Sequence, residues 1–272
     1  MAPTDGQSGF QCAAGTFCPQ GTLFVHECTP GDFCRTSGLS NATGKVEAGF
    51  YAWGGAILSN VSDGVTGAIC PQGHFCLEGN HVLMLARLKK NNSHDLFCVF
   101  ISGSSTPSRC PIGTFNNAVG GPSATSCMDC TAGYYCNQTA LVAEEGQCPQ
   151  GFWCESKTIV PYRVCPAGSM CPTGSAKPIL CPHGTYQDQS GQWTCKDCPS
   201  GHHCIGTGNT NYTLCGPGSY CPQNTKFSTE FLCPNGTFSN ISGLVSEANC
   251  TLCPPTMYCE GIGNTEPSGK RV

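Results

Sequence analysis

Cysteine is the residue in this chain whose number and spacing could do chemistry. Of 25 cysteines, eighteen form nine pairs six positions apart: Cys12 with Cys18, Cys28 with Cys34, Cys70 with Cys76, Cys130 with Cys136, Cys148 with Cys154, Cys165 with Cys171, Cys198 with Cys204, Cys215 with Cys221 and Cys253 with Cys259. Thiols at such density do redox exchange, bind zinc or pair as structural disulfides. Three C-x-x-C motifs occur, Cys127-Met-Asp-Cys130, Cys195-Lys-Asp-Cys198 and Cys250-Thr-Leu-Cys253. A redox dithiol needs a helix N-terminus or a cation to lower its thiol pKa, and the Gly- and Pro-rich sequence around these motifs supplies no such helix. A zinc site needs paired motifs or Cys/His clusters at ligand spacing. His202-His203 comes close, but neighbouring units carry Tyr-Tyr and Ser-Tyr there, so His203 reads as the occupant of an aromatic slot. Structural disulfides remain, and neither metal nor cofactor is expected.

The elements that position these cysteines follow a repeat, Cys-Pro-x-Gly-x-aromatic-Cys. Three further units begin alike but lack the cysteine at the sixth place: Cys110-Pro-Ile-Gly-Thr-Phe, Cys181-Pro-His-Gly-Thr-Tyr and Cys233-Pro-Asn-Gly-Thr-Phe. Their next cysteines come later, at Cys127, Cys195 and Cys250, which leaves Cys98 alone as a free thiol. Self-similarity of this kind marks a repeat architecture. The glycine suits a turn that needs positive φ, and the proline pre-sets the backbone before it. The large residue before the second cysteine (Phe17, Phe33, Phe75, Tyr135, Trp153, Met170, His203, Tyr220, Tyr258) is expected to lie against the neighbouring disulfide or unit. Thr256 stands at the glycine place of the last unit.

Spacing alone does not determine pairing. One degenerate unit, Val46-Glu-Ala-Gly-Phe-Tyr-Ala52, aligns with Cys130-Thr-Ala-Gly-Tyr-Tyr-Cys136 and has lost both cysteines together. Joint loss favours bridges within each six-spaced pair, plus Cys110–Cys127, Cys181–Cys195 and Cys233–Cys250. The competing scheme, joining each unit's second cysteine to the next unit's first (Cys136–Cys148, Cys154–Cys165), stays open on sequence alone. The expected fold is a set of small disulfide-rich repeats in an elongated tandem array. It should be mostly coil with short antiparallel β-ladders and little or no helix, each unit touching only its neighbours. The repeats divide the chain into 12–69, with the degenerate unit at 46–52; 70–109, interrupted by 80–103; 110–147; 148–180, holding two short units; 181–214; 215–232; and 233–269, with tails at 1–11 and 270–272.

Composition agrees. Charged residues are 11%, against roughly 25% in ordinary globular domains. Twenty-five thiols have a structural use only where disulfides persist, so the chain belongs in an oxidising compartment, extracellular or at the cell surface. Eight Asn-x-Ser/Thr sequons open at Asn41, Asn60, Asn91, Asn137, Asn211, Asn235, Asn240 and Asn249, more than chance places on 15 asparagines. A net charge of −4 offers no basic stripe for nucleic acid. No apolar run approaches the roughly 20 residues of a membrane span, and the first residues carry no signal-peptide pattern. The expectation is therefore a fragment of a larger, secreted or membrane-anchored parent. Acidic residues are scattered without calcium-loop spacing; no nucleophile elbow or phosphate-cradling loop occurs, and no enzyme is expected.

Segment 80–103 is foreign to the repeat. Between Cys76 and Cys110 lie 33 residues, where comparable gaps hold nine; removing Asn80 to Gly103, 24 residues, restores nine. The segment's ends can be encoded as splice signals, G|GTAAC at Gly79-Asn80 and a pyrimidine tract with CAG|G at Val99 to Gly103, and Gly269-Lys-Arg-Val272 fits a donor read through. The expectation is a retained intron that brings in Cys98 and the Asn91 sequon.

Cys110-Pro-Ile-Gly-Thr-Phe with Cys127-Met-Asp-Cys130-Thr-Ala-Gly-Tyr-Tyr, and Cys181-Pro-His-Gly-Thr-Tyr with Cys195-Lys-Asp-Cys198-Pro-Ser-Gly, resemble the ephrin-receptor-like cysteine-rich repeat. That family belongs with the growth-factor-receptor cysteine-rich and EGF-like modules. The resemblance implies an extracellular multidomain parent and carries no catalytic residues to this chain. The many short units depart from the ephrin-receptor pattern, so a receptor kinase is not implied. Two roles follow: a glycosylated structural or adhesive stalk, or the ligand-binding portion of a receptor ectodomain, with extracellular proteins or glycans as partners. An exposed aromatic and arginine patch would favour the second.

Overall fold

The computed structural model describes residues 11–79 and 107–270. The interruption at 80–103, with Cys98 and Asn91, lies outside the described residues. Two compact units are present, one of 1–130 with 136–145, the other of 131–135 with 146–272. Both are built in the same way.

Each repeat begins with a reverse turn. The residue after the glycine donates its N–H to the carbonyl two residues before that glycine, as in Phe152 to Pro149 at 3.1 Å and Tyr134 to Thr131 at 3.0 Å. The glycine itself has positive φ, +82° at Gly151 and +92° at Gly133, a geometry that suits a type II turn, with φ > 0 at its third residue. A two-residue strand follows and pairs antiparallel with the two residues that precede the next unit's first cysteine. Tyr134–Tyr135 pairs with Gly146–Gln147, Phe152–Trp153 with Arg163–Val164, and Ser169–Met170 with Ile179–Leu180. The described residues hold twelve such two-stranded ladders, and helix is limited to single 3-10 turns at Ala124–Ser126 and Glu247–Asn249. The fold class is therefore small disulfide-rich tandem repeats.

Twelve disulfides close the loops. Nine lie at separation six: Cys12 joins Cys18, Cys28 joins Cys34, Cys70 joins Cys76, Cys130 joins Cys136, Cys148 joins Cys154, Cys165 joins Cys171, Cys198 joins Cys204, Cys215 joins Cys221 and Cys253 joins Cys259. The other three, Cys110–Cys127, Cys181–Cys195 and Cys233–Cys250, span 17, 14 and 17. The alternative links Cys136–Cys148 and Cys154–Cys165 are not formed. Most of these cysteines are fully buried, Cys34 and Cys221 among them, whereas Cys18 near the start of the array is only half-buried. The large residues before the second cysteine are mostly half-buried. Where the cross-strand residue is glycine the ring covers it: a Cβ on Gly146 would meet the Tyr135 ring at 3.0–3.1 Å, and one on Gly44 the Phe33 ring at 3.2 Å. His203 instead lies against the next unit's disulfide, its Nδ1 3.5 Å from the Cys215 sulfur.

Successive repeats are joined through their main chains. The turn glycine donates to the carbonyl of the next unit's second cysteine, Gly133 to Cys154 and Gly151 to Cys171 at 2.8 Å, Gly15 to Cys34 at 2.9 Å and Gly201 to Cys221 at 2.7 Å. The next unit's first cysteine donates back, Cys148 to Gly133 at 2.8 Å and Cys165 to Gly151 at 2.9 Å. A second positive-φ residue, three or four places after the second cysteine, donates to the first-cysteine carbonyl of the preceding unit, as in Gly174 to Cys148 and Gly208 to Cys181 at 2.8 Å. The residue after it accepts from a second-cysteine N–H, Leu39 from Cys18 at 2.8 Å, Ala56 from Cys34 and Leu244 from Cys221 at 2.7 Å. The positive-φ residue's own carbonyl then lies against the turn glycine two units back. A Cβ on Gly133 would come within 2.5 Å of the Gly174 oxygen, and one on Gly49 within 2.6 Å of the Gly120 oxygen. Contact only between adjacent units was the expectation; these loops in fact reach back two units, because the turn glycine has no Cβ to keep the incoming carbonyl away.

Where the sixth-place cysteine is missing, a polar residue keeps the link. Asn116 accepts from Gly73 at 2.8 Å, Gln187 from Gly168 at 2.7 Å and Ser239 from Gly218 at 2.8 Å, all through their main-chain carbonyls. All three are buried, and each side chain donates to a carbonyl: Asn116 to His74 at 3.0 Å, Gln187 to Thr194 at 2.7 Å, Ser239 to Ile241 at 3.1 Å. The degenerate unit uses apolar contact instead. Val46 and Ala52 are fully buried with Ala56 and Val61, and Phe33 packs against them. Its main-chain links are intact, Val46 to Gly31 at 2.9 Å and Gly31 to Ala52 at 3.2 Å.

The repeat register continues across the interruption. His74–Phe75 pairs with Ser108–Arg109, and Arg109 directly precedes Cys110 as Leu180 precedes Cys181. Deleting 80–103 should therefore leave a folded chain with the same twelve bridges in a peptide map; loss of Cys70–Cys76 or Cys110–Cys127 would show that the segment is structural. The double substitution Val46→Cys with Ala52→Cys should form a thirteenth bridge and stabilise the unit by about 2 kcal/mol through loop entropy, measured by non-reducing thermal unfolding against the reduced form.

Candidate functional site

The cysteines of the three C-x-x-C motifs are engaged away from each other. Cys127 bonds Cys110 while Cys130 bonds Cys136, Cys195 bonds Cys181 while Cys198 bonds Cys204, and Cys250 bonds Cys233 while Cys253 bonds Cys259. Among the described residues no three His, Cys, Asp or Glu side chains gather as a metal site. His203 is buried, its Nδ1 3.5 Å from the sulfur of Cys215, which is bridged to Cys221, whereas His202 stands edge-on to Tyr212 at 4.7 Å. Tyr212 also meets Tyr186 at 5.1 Å, and Lys196 sits 5.8 Å from the Tyr186 ring centroid while bonding Asp188 at 2.5 Å. That bond holds the Asp188 carboxyl below its ordinary range. Glu145 accepts from the Asn137 N–H at 2.9 Å and the Gln138 amide at 3.2 Å.

All seven sequon asparagines within the described residues, Asn41, Asn60, Asn137, Asn211, Asn235, Asn240 and Asn249, are exposed. Asn249 also accepts from the Ser246 N–H and hydroxyl at 3.1 and 3.0 Å, which stabilises the 3-10 turn preceding Cys250.

The loop between Cys154 and Cys165 gathers tryptophan, tyrosine and arginine on one surface. Trp153 and Arg163 face each other across their ladder. The Arg163 guanidinium lies 4.9 Å from the Trp153 ring centroid and 5.5 Å from that of Tyr162, and it bonds Glu155 at 3.0 Å. Residues 155–163 enclose a concavity of about 330 Å³. Lys157 turns the loop at φ +67°, the place that Gly174, Gly191 and Gly208 take in the units that follow. Sequence reasoning did not single out this cluster. Its signal was present in the adjacency of Trp153, Tyr162 and Arg163, but only the ladder register places Trp153 opposite Arg163.

Among the described residues the four non-glycine residues with positive φ, Ala140, Lys157, Asn224 and Thr256, all occupy one of the two glycine places of the repeat. The backbone at these places is set by contacts between repeats, and the side chain adapts to it.

Residues 168–215 match the family model described as tyrosine-protein kinase ephrin type A/B receptor-like. The chain is a tandem cysteine-rich repeat array. A comparison with curated proteins found no match. The matched stretch of the array runs from the turn glycine of the Cys165 unit through the long Cys181–Cys195 loop and the Cys198 unit to Cys215.

The loop of the array's degenerate unit carries a carboxylate held by local hydrogen bonds. Asp63 accepts from the N–H groups of Val65, Thr66 and Gly67 at 2.8, 2.7 and 3.2 Å and from the Thr66 hydroxyl at 2.5 Å. The hydroxyl bond is the largest cause, with the three N–H groups adding to it, and together they lower its pKa from 3.8 to about 2. Its folded value lies below its unfolded one, so the stabilisation is complete above pH 3.8 and is lost as pH falls through about 2. Carboxyl titration by NMR should place the Asp63 midpoint near 2, and Thr66→Val should raise it toward the ordinary value; an unchanged midpoint would remove the hydroxyl from this account.

Proposed function

We propose that the array is a non-enzymatic extracellular segment whose first task is structural: a glycosylated, disulfide-linked stalk of a larger secreted or cell-surface protein. The observation that carries this reading is the continuity of the links. Each repeat exchanges two main-chain hydrogen bonds with the next, and loops reach back two units, so tension or torque passes through backbone and sulfur rather than through a deformable apolar core. Covalent loops of this kind hold where the surroundings are oxidising. The exposed asparagines at 41, 60, 137, 211, 235, 240 and 249 are proposed glycan sites, which agrees with the same compartment. The similarity of 168–215 to an ephrin-receptor-type repeat supports it further.

The second reading, the ligand-binding portion of a receptor ectodomain, is favoured by one observation, the Trp153–Arg163–Tyr162 stack.

Expressed behind a secretion signal in glycosylating cells, the chain should leave the cell with all twelve bridges formed. Its mass should fall on enzymatic glycan removal by the weight of several glycans. Intracellular retention of zinc-loaded protein with free thiols would overturn the reading. Pulled from its ends in a force spectrometer, the oxidised chain should lengthen in small steps, and a reducing agent should release the residues held inside the loops.

A further inference from the structure

We propose that the loop 155–163, with Trp153 beneath it, is a docking site for an extracellular protein segment that presents a carboxylate beside an apolar side chain. This rests on the extracellular reading and goes beyond the stalk.

The first argument is composition at a surface. Protein interfaces concentrate their energy in a few Trp, Tyr and Arg residues set in well-packed surroundings. Here those three types touch one another within one repeat. Tyr162 is 68% exposed, and Val160 and Ile159 beside it are 56% and 40% exposed. The apolar side chains and the aromatic ring border a concavity of about 330 Å³, enough for one or two side chains but small for a drug-sized ligand.

The second argument is pre-organisation. Arg163 is fixed by its strand pairing with Trp153, by two aromatic rings and by Glu155. An arginine already held in place loses less rotamer freedom on binding. Its ion pair with Glu155 is solvent-exposed, with the side chains 39% and 53% accessible, and such pairs are worth little in water. A guanidinium carries five donors in a planar fork, more than one carboxylate accepts. A second carboxylate can therefore join or displace Glu155 at little cost. The donors of Arg163 left over beyond Glu155 select an acidic partner.

The third argument is glycan distribution. No asparagine occurs between Asn137 and Asn209, so the loop itself opens no sequon, whereas Asn211, Asn235, Asn240 and Asn249 open four later in the same compact unit. A protein-docking face has to stay free of bulky sugars.

The test uses the full chain, secreted and with its twelve bridges mapped, as bait for a phage-displayed random-peptide library. Enriched peptides should carry Asp or Glu beside Leu, Ile, Phe or Trp. Their affinity should fall about tenfold or more on Arg163→Ala and on Tyr162→Ala, the loss that marks a hot spot, and hold on Trp193→Ala, an exposed tryptophan of another repeat. Ser156→Asn opens a sequon closed by Thr158; once glycosylated, that variant should bind no peptide while retaining all its bridges. No enrichment, enriched peptides without a carboxylate, or binding that survives Arg163→Ala would overturn the proposal. Heparin binding lost on Arg163→Ala, with no peptide captured, would make the loop a polyanion site and overturn it equally. A chain that is not secreted, or emerges with free thiols, refutes the extracellular reading; one that is secreted and bridged but deaf to peptides refutes the docking site alone.

Discussion

The main-chain groups of the bridged cysteines impose the constraint from which the rest follows. A loop closed at separation six turns the N–H of the first cysteine and both cysteine carbonyls outward, with no partner inside the loop. Buried backbone polar groups left unpaired cost about as much as a lost hydrogen bond. Cys148 shows how the need is met: its N–H goes back to Gly133 and its carbonyl accepts from Gly174, both at 2.8 Å. One repeat alone would leave both groups unpaired. The disulfide fixes the loop, and the loop requires its neighbours.

This constraint explains what can change in a repeat and what cannot. Sulfur is dispensable in the sense that Val46 and Ala52 replace a whole bridge, because apolar contact with Ala56, Val61 and Phe33 fills the same volume and the main-chain links survive. The sixth-place cysteine is dispensable too, since Asn116, Gln187 and Ser239 offer the same carbonyl and satisfy their own side chains locally. Positive φ at the two glycine places is not dispensable. Ala140, Lys157, Asn224 and Thr256 give up glycine's freedom yet keep the conformation, which shows that the neighbouring repeats impose it.

Much of this was legible in the residues. Six-residue spacing, the Pro-x-Gly turn and the paired loss at Val46 and Ala52 are local signals, and local signals describe a repeat whose units mostly start 16 to 20 residues apart. Hydrogen bonds between repeats left no such mark, because glycine N–H and cysteine carbonyl are present whatever their partners. The reach of these loops back two units was invisible for that reason: Gly174 reads as an ordinary turn glycine, and only its carbonyl's approach to Gly133 reveals the contact. The aromatic before the second cysteine was legible as a packing residue, but its target was not. Tyr135 covers Gly146, a choice made by strand register rather than by spacing.

The same division separates scaffold from function. Scaffold positions are repeated, so their departures are visible: Lys157 stands out because Gly174, Gly191 and Gly208 define what that place holds in other repeats. Binding positions are not repeated and must be sought where a repeat spends side chains that its links do not need. The Cys154 to Cys165 loop meets that description, since its main-chain links run through Gly151, Cys154 and Cys165, yet it carries tryptophan opposite arginine. The main-chain links leave the loop's side chains free to vary without loss of the fold, and Trp153, Tyr162 and Arg163 are where this repeat uses that freedom.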